Sequence, residues 1–360
     1  MHIEIVSLPG DGIGPEVIAE AEKVLACVAE AFGHRVELAR GLVGGAALEA
    51  EGTALPDATR RAAKAADAVL LGAVGLPEYD GRAPAERPEK GLLDLRRELA
   101  VYANLRPVKA YPSLLGASPL KPERVIETDL VIVRELTGGL YFGTPRAIDD
   151  RRAVNTLRYD VDEIERVARL GFELAKGRRG KVTSVDKANV LETSQLWRRV
   201  VDDVARDYPG VKLEHLLVDN AAMQLVLAPR GFDVILTENL FGDILSDEAA
   251  VLAGSIGILA SASVGARRAD GKLPGLYEPI HGSAPGITGM GVANPLGAIG
   301  SVALMLAWSF GLEAEAAMVD DAIRRCLEDG RVTPDLGGSA STSEVGYAVC
   351  AAIRAARGTP

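Results

Sequence analysis

The sequence predicts an α/β fold built largely from parallel strands. Short runs of β-branched and aliphatic residues alternate with longer segments whose apolar residues recur every three to four positions. This alternation is typical of strands that are connected by helices. With 48% hydrophobic and 25% charged residues, the composition is that of an ordinary globular protein and excludes intrinsic disorder. At roughly 150 residues per domain, a chain of 360 residues has room for two domains or one large one.

The strands and helices are expected in the following order. Apolar runs bounded by turn residues predict strands over residues 3–8, 68–74, 129–136, 181–187, 213–219 and 232–238. Segments with one apolar face predict helices over residues 16–32, 161–177, 192–207, 240–253, 295–310, 313–329 and 342–356. Because no internal repeat and no low-complexity linker divides the chain, we expect the domains to be interleaved.

Charge and cysteine content exclude several classes of protein. Fifty acidic residues against forty basic ones give a net charge of −10, which argues against nonspecific binding to nucleic acid or to an anionic membrane. No run reaches about 18 apolar residues, and the first residues lack the pattern of a signal peptide. Cys27, Cys326 and Cys350 show no metal-ligand spacing and are expected to be buried thiols in a reducing compartment. The sequence therefore predicts a soluble, cytoplasmic protein.

Three arginines are candidate ligands for a carboxylate. Arg96, Arg106 and Arg134 lie on or near the ends of secondary-structure elements. Arg134 directly follows an apolar run, so we expect it to be buried and to need an anionic partner. Guanidinium groups bind carboxylates through paired hydrogen bonds, so arginines that converge would suit a di- or tricarboxylate. Ordinary surface ion pairs are the alternative.

Three aspartates are candidate metal ligands. Asp243 and Asp247 lie one turn apart on a predicted helix, so their carboxylates share a face and repel unless something neutralises them. A divalent cation would do so; the alternative is an acidic first turn that complements the helix dipole, with Asn239 as the cap. Asp219 is a third carboxylate at the end of a predicted strand, where α/β proteins place ligands. With no histidine or cysteine nearby, such a set suits Mg²⁺ or Mn²⁺ better than zinc.

Two further residues are candidates for moving protons. Tyr141 and Lys187 each follow a predicted strand and lie beside glycine or polar residues. A structural role for Tyr141, and a plain ion pair between Lys187 and Asp186, are the alternatives.

Two glycine-rich segments invite comparison with nucleotide-binding loops. Gly10, Gly12 and Gly14 form G-x-G-x-G rather than G-x-G-x-x-G, so a Rossmann dinucleotide-binding fold is not predicted. Residues 278–295 form a long loop of Gly, Pro, Ser and Ala before a helix. The backbone of such a loop can approach a nucleotide closely.

Together and in this order, these segments resemble the β-decarboxylating dehydrogenases, the family of isocitrate and 3-isopropylmalate dehydrogenases. The resemblance extends from LPGDGIGPEV near the start to PDLGGSAST near the end, and it includes NLFGDILSDEA, HGSAP and ANP. It implies two interleaved α/β domains. Residues 1–100 and 255–360 would bind the cofactor; residues 101–254 would bind the substrate, carry the dimer interface and extend an arm near 137–160.

The resemblance also implies a role for each candidate residue. The substrate carboxylates would be held by Arg96, Arg106 and Arg134, and the catalytic pair would be Tyr141 and Lys187. The divalent cation, Mg²⁺ or Mn²⁺, would be held by Asp219, Asp243 and Asp247. Lys187 and Asp219, the latter also close to the substrate, would reach in from the partner subunit of a homodimer. NAD would contact Glu278, His281, Gly282, Ser283, Ala284 and Asn294, and Asn189 would lie near both substrate and cofactor.

The implied reaction is the oxidative decarboxylation of a 3-substituted malate. Leu92, Leu93 and Val190 match an apolar pocket that would favour the isopropyl group of 3-isopropylmalate. Ordinary core leucines are the alternative, and tartrate, 3-methylmalate and longer alkylmalates remain open as substrates. None of the metal aspartates, Tyr141 or Lys187 is missing, which argues against a catalytically silent member of the family.

The sequence departs from the family at one position. Gly286 follows HGSAP where NAD-using relatives carry an aspartate. Glycine can neither accept a hydrogen bond from the adenosine ribose nor repel a 2′-phosphate. We therefore expect NAD as the cofactor, but with weaker discrimination against NADP. Three cations in the preceding loop could in principle reach a 2′-phosphate: Arg267, Arg268 and Lys272.

Overall fold

The structure is a computed structural model that describes residues 1–268 and 273–357. Lys272, one of the cations considered near the cofactor, lies outside the described residues. The strands are β1 (His2–Gly10), β2 (Arg35–Arg40), β3 (Ala68–Ala73), β4 (Ala103–Lys109), β5 (Asp129–Glu135), β6 (Ala147–Ile148), β7 (Ala153–Val154), β8 (Lys181–Asp186), β9 (Lys212–Leu217), β10 (Val234–Thr237), β11 (Ala260–Val264) and β12 (Gly275–Pro279). The α-helices are α1 (Gly14–Phe32), α2 (Gly44–Glu51), α3 (Asp57–Ala65), α4 (Glu89–Glu98), α5 (Pro122–Val125), α6 (Val161–Lys176), α7 (Glu192–Ala205), α8 (Val218–Leu227), α9 (Asn239–Leu252), α10 (Leu296–Phe310), α11 (Glu313–Glu328) and α12 (Thr342–Arg357).

The chain folds into two compact units. Unit 1 combines Met1–Val101 with Ser255–Pro360, and unit 2 is the continuous segment Tyr102–Gly254. These limits differ by one residue from those that the resemblance implies. In the region expected to form an arm, β6 and β7 pair as a short antiparallel ribbon.

The described residues of unit 1 form five strands in the order β2-β1-β3-β12-β11. All neighbours are parallel except β11 and β12. Helix α10 is apolar almost all round, as a helix buried on several sides must be, and it packs against α1, α11, β11 and β12. Helix α1 ends where Gly33 adopts a left-handed conformation with φ of 72°, which glycine tolerates without steric cost.

Unit 2 contains five strands in the order β4-β5-β10-β8-β9. Strand β4 is antiparallel to β5, and the remaining neighbours are parallel. Helices α6 and α7 pack against each other and against β8. The predicted α/β fold class is therefore confirmed.

The structure corrects one element that bears on the site. Asp219 does not end a strand: β9 stops at Leu217, and Asp219 lies in the first turn of α8. The apolar residues before it suited either a strand or a helix, and a short run of this kind does not distinguish the two.

The three cysteines are buried free thiols, as expected. Among the described residues, no helix has both the length and the apolar character needed to cross a bilayer.

Candidate active site

The strand register of unit 2 places two arginines on one face of the sheet. Asn104 and Arg106 are two residues apart on β4, so their side chains point the same way. Arg134 on β5 lies directly opposite Asn104, and residues directly opposite each other in an antiparallel pair share a face. Both arginines are buried, Arg134 with 3% of its surface exposed. The two arginines share a face because β4 and β5 pair in this register. The sequence pattern does not predict this pairing.

The two aspartates of α9 face these arginines. Arg134 Nη1 bonds to Asp243 Oδ1, and Arg106 Nη1 lies 3.2 Å from Asp247 Oδ1. Arg106 Nη2 lies 3.6 Å from Asp243 Oδ1. The expectation that buried Arg134 has an anionic partner is therefore confirmed. The cap of α9 is Glu238, whose side chain accepts the Phe241 N–H, so the interpretation of Asn239 as the cap is wrong.

The same contacts set the charge states of the aspartates. Burial works against the charged form of Asp243, but Arg134 and Arg106 outweigh it and hold the pKa of Asp243 below its ordinary value. The pKa of Asp247 is raised, chiefly by the partial burial of its largely exposed side chain and also by the negative charge of Asp243, although Arg106 opposes this. The pair thus combines one carboxylate that the arginines keep ionised with one that is more easily protonated.

Tyr141 joins this cluster from a different element. It ends a 3₁₀ turn, Gly139–Tyr141, that follows β5. Its hydroxyl donates to Asp243 Oδ2 at 2.8 Å. Burial, followed by the bond to Asp243, raises the pKa of Tyr141. The phenol therefore stays protonated near neutral pH and can act as a proton donor.

Lys187 and Asp219 form a separate pair. Lys187 Nζ donates to Asp219 Oδ1 at 2.6 Å, and this bond lowers the pKa of Asp219. Asp186 does not pair with Lys187 as the alternative interpretation had it; both of its oxygens accept hydrogen bonds from Arg198. Within residues 1–268 and 273–357, the metal-ligand set whose atoms all lie within 4.8 Å of one another is an exposed surface group: His2, Glu4 and Glu37. One chain therefore does not bring Asp219 together with Asp243 and Asp247.

The remaining polar candidates lie in unit 1. Arg96 does not stand alone: its Nη2 donates to Glu278 Oε1 at 2.7 Å, although both residues are almost fully buried. Arg96 Nε is buried with no hydrogen-bond partner in the part of the chain that is described. Asn294 Oδ1 accepts the Leu296 N–H, and its Nδ2 donates to Asp335. These contacts fix Asn294 at the start of α10.

His281 presents a buried lone pair. Its Nδ1 lies 2.9 Å from Gly282 O, and a carbonyl can only accept, so Nδ1 carries the proton and Nε2 does not. Burial lowers the pKa of His281 and keeps the ring neutral. His281 Nε2 has no partner among the described residues. A hydroxyl or amide N–H of a nucleotide would satisfy it.

The glycine-rich segment at the N-terminus proves to be a clamp. Buried Asp11 accepts hydrogen bonds at 2.8 Å from three backbone N–H groups, those of Gly45, Ala46 and Gly75. The Ile13 N–H donates to Ser283 O at 2.8 Å, so the clamp also holds the loop expected to bind the cofactor. Sequence reasoning missed Asp11, because a lone aspartate between glycines is equally typical of an ordinary turn.

The candidate apolar residues are not core residues. Leu92 and Leu93 are half-buried on α4, while Leu95 on the same helix is completely buried. Val190 and Asn189 are exposed in the turn that follows Lys187. Three apolar side chains therefore remain partly free to contact a ligand or another chain.

One of the loop cations, Arg268, and Gly286 can also be located. Arg268 donates to Lys64 O at 2.9 Å and to Ala66 O at 3.3 Å, at the end of α3. Arg268 therefore contacts that helix end, and these bonds would have to break before it could reach a phosphate. Gly286 is exposed in the 3₁₀ turn Pro285–Ile287. A Cβ built there meets no atom within 4 Å.

Comparison with known proteins gives a consistent result. A family model described as isocitrate/isopropylmalate dehydrogenase matches residues 4–349. The 3-isopropylmalate dehydrogenase of Geobacillus kaustophilus is 57% identical over 342 residues, which is 94% of this chain and 91% of the relative. That of Bacillus subtilis is 55% identical over 361 residues and 98% of both chains.

Solved structures agree with these sequence relatives. An isocitrate dehydrogenase from Methylococcus capsulatus superposes with a TM-score of 0.85 and 36% identity, over 98% of this chain and all of the other. A β-decarboxylating dehydrogenase from Thermococcus kodakarensis gives a TM-score of 0.80 and 39% identity over 98% and 96% of the two chains. With the matching family model and relatives more than half identical over nearly the whole length, the chain belongs to the isocitrate/isopropylmalate dehydrogenase family.

Proposed function

We propose that the protein catalyses the oxidative decarboxylation of (2R,3S)-3-isopropylmalate to 4-methyl-2-oxopentanoate and CO₂, a step of leucine and branched-chain amino acid biosynthesis in the cytoplasm. NAD would accept the hydride, and Mg²⁺ or Mn²⁺ would be required. The observation that carries the proposal is the cluster of Arg106, Arg134, Tyr141, Asp243 and Asp247 in unit 2. It combines two buried cations, two acids on one helix face and a protonated phenol.

The choice of substrate is supported by relatives and by residues. The two curated relatives described above are named for 3-isopropylmalate and are more than half identical to this chain. Leu92 and Leu93 are half-buried rather than part of the core. A branched alkyl group prefers such an apolar surface, whereas a third carboxylate does not.

The arginines would bind and orient the substrate. Each has donors close to an aspartate oxygen. Each guanidinium is therefore already oriented to bind an anion such as a substrate carboxylate. Their fixed geometry would lower the entropic cost of holding a flexible dicarboxylate.

The donor sets fit the two groups that the family uses. Asp243 and Asp247 offer only carboxylate oxygens, which suit a hard divalent cation. His281 Nε2, which is buried and lacks a partner among the described residues, suits a nucleotide donor. When bound, the cation would polarise the C2 oxygen and the adjacent carboxylate while the nicotinamide takes the hydride. Glu278, Asn294 and the backbone of residues 282–284 would line the cofactor loop.

Tyr141 and Lys187 would move the protons. A base must take the proton of the C2 hydroxyl. Lys187 would do so, directly or through water, as the neutral amine released from its ion pair with Asp219. After CO₂ leaves, the carbon that carried it must gain a proton. The phenol of Tyr141, held protonated by burial and by Asp243, would donate it.

A homodimer would complete the site. Lys187 pairs with Asp219, outside the cluster that contains Asp243, so a second subunit would have to bring them in. Packed helices α8 and α9 expose apolar side chains, each more than half exposed: Met223, Leu227, Ile244 and Val251. Such a surface is typical of an interface between subunits.

The test is a turnover screen of the purified protein. NADH formation would be followed with Mg²⁺ and a panel comprising 3-isopropylmalate, 3-methylmalate, tartrate and isocitrate. We expect the highest kcat/KM with 3-isopropylmalate and loss of activity on exhaustive chelation. A better rate with another member of the panel would contradict the assigned substrate. Undiminished turnover after chelation would contradict the metal site.

A further inference from the structure

A buried asparagine lies behind each of the two arginines in the cluster of unit 2. Arg106 Nε donates to Asn104 Oδ1 at 2.8 Å. Arg134 Nε and Nη2 both donate to Asn239 Oδ1, at 3.0 and 2.8 Å. Neither asparagine is exposed at all. A guanidinium has donors only, so the carboxamide atom that faces it must be the oxygen.

The two asparagines come from unrelated places in the chain. Asn104 lies on β4, two residues before the arginine it contacts, whereas Asn239 is the first residue of α9. The same arrangement thus arises twice by different local structure. It is therefore not a by-product of one turn or one helix cap.

Asn239 is itself held from several sides. Its Nδ2 donates to Gly138 O at 3.1 Å, and its backbone N–H donates to the Tyr159 hydroxyl at 3.0 Å. Gly138 immediately precedes the 3₁₀ turn that carries Tyr141. One carboxamide therefore ties Arg134 to the segment that bears the phenol.

The neutrality of the two acceptors has a physical consequence. A buried guanidinium must have its N–H groups satisfied, and a carboxylate would satisfy the same groups. However, a carboxylate would also cancel the positive charge, and a buried charge interacts with an incoming anion far more strongly than an exposed one. A carboxamide satisfies these donors and adds no negative charge to those of Asp243 and Asp247, which contact other nitrogens of the two guanidinium groups.

We propose that Asn104 and Asn239 are positioning residues that hold Arg106 and Arg134 through neutral acceptors and thereby preserve the charge of both arginines for a dicarboxylate ligand. The inference rests on the proposed function, since it takes these arginines as the groups that bind substrate carboxylates.

The test compares two substitutions at each position. Asn239→Asp and Asn104→Asp keep an oxygen acceptor but add a negative charge, whereas Asn239→Ala and Asn104→Ala remove the acceptor and add no charge. KM and kcat for 3-isopropylmalate would be measured, together with calorimetric binding of malate to each variant. Ser113→Asp, at an exposed position of unit 2 outside the expected arm, is the control for added charge alone.

If neutrality matters, the aspartate variants bind malate more weakly than the alanine variants. Their KM should rise about tenfold or more, the usual scale for losing a charge-assisted bond, with a smaller change in kcat and in Tm. If the asparagines provide geometry alone, aspartate restores binding relative to alanine, and the inference is wrong. If neither aspartate variant folds, the inference is also wrong. Each new carboxylate would lie against a guanidinium and should form an ion pair with it, so the inference expects both variants to fold.

The proposed function is judged separately. If the unmodified protein does not oxidise 3-isopropylmalate, the proposed function is wrong. If it does, and the aspartate variants bind malate normally, only the inference about Asn104 and Asn239 is wrong.

Discussion

Asp243 is the residue on which most of the cluster depends. Its two oxygens meet Arg134 and the Tyr141 hydroxyl, and Arg106 lies close by. Removing one partner of a buried ion pair leaves the other charge uncompensated. Asp247, in contrast, has a side chain that is 61% exposed. Two acids on one helix turn should therefore behave differently when substituted.

We expect the stabilising effect of Asp243 to depend on pH. The pKa of Asp243 is lowered in the folded protein, so its contribution is present above the unfolded-state pKa of about 3.9 and is lost as pH falls through the folded-state value. Asp243→Asn should lower the free energy of unfolding at pH 7 by about 1–3 kcal/mol. The gap to the unmodified protein should narrow as the pH is lowered to about 3.

Urea unfolding at both pH values measures this gap. Asp247→Asn is the control, and it should change stability by no more than about 0.5 kcal/mol. Equal losses for the two variants at pH 7, or a gap that does not change with pH, would contradict the role assigned to Asp243.

Neighbouring leucines of α4 should separate selectivity from stability. Leu92→Ala should reduce the preference for 3-isopropylmalate over 3-methylmalate by about 1–3 kcal/mol, because an apolar contact of this size is worth that much. Leu95→Ala, at a completely buried position, should instead lower stability by about 2–5 kcal/mol. The ratio of kcat/KM values and the urea midpoint distinguish the two effects. A selectivity unchanged in Leu92→Ala would remove that residue from the pocket.

At the scale of elements, the sequence predicts helices most accurately where apolar residues recur regularly over a long segment. The helices over 161–176 and 313–328 agree with the expected ranges to one residue. Strands β4 and β11 were not predicted, because one contains Pro107 and buried Arg106 and the other consists of Ala, Ser and Val. The order of strands in space lies beyond any local pattern, since it depends on pairings between distant segments. The contact between Arg106 and Asp247 therefore appears only in the structure.

The 3₁₀ turn Pro285–Ile287 offers a test of cofactor choice. Gly286→Asp should raise the preference for NAD over NADP about tenfold, because a carboxylate can accept from the ribose hydroxyls and repels a 2′-phosphate. The open space around Gly286 means that the side chain fits without strain.

Gly286→Asn is the matched control, since it adds a side chain of the same shape without charge. The kcat/KM values for both cofactors provide the measurement. An equal effect of Asn and Asp would show that charge is not the cause. A tenfold advantage for NADP in the unmodified protein would overturn the choice of NAD.

At the scale of the whole molecule, the proposed homodimer can be tested by mixing subunits that carry different substitutions. Under the proposed assignment of roles, Lys187 of one subunit would act beside Arg134 of the other. A mixture of Lys187→Ala and Arg134→Ala subunits should therefore recover activity, because each hybrid dimer contains one intact site and one doubly altered site. With random exchange, half of the dimers are hybrids, so recovery should reach about a quarter of the unmodified rate.

Subunits would be mixed after mild dissociation and assayed against each variant alone. No recovery, together with co-purification of untagged subunits with tagged ones that shows exchange has occurred, would contradict shared sites. Sedimentation that shows the active species to be a monomer would also contradict shared sites.

The division of unit 1 between the two ends of the chain has a consequence for biosynthesis. Helix α1 packs against α10 and α12, and β3 pairs with β12, so the partners of the first elements leave the ribosome last. Unit 2, a continuous segment, has all of its own strands much earlier. We expect unit 2 to fold first. The apolar face of α1 would then stay exposed to chaperones until its partner elements have been synthesised. Pulsed hydrogen exchange during refolding would contradict this order if α1 were protected before β8 and β10.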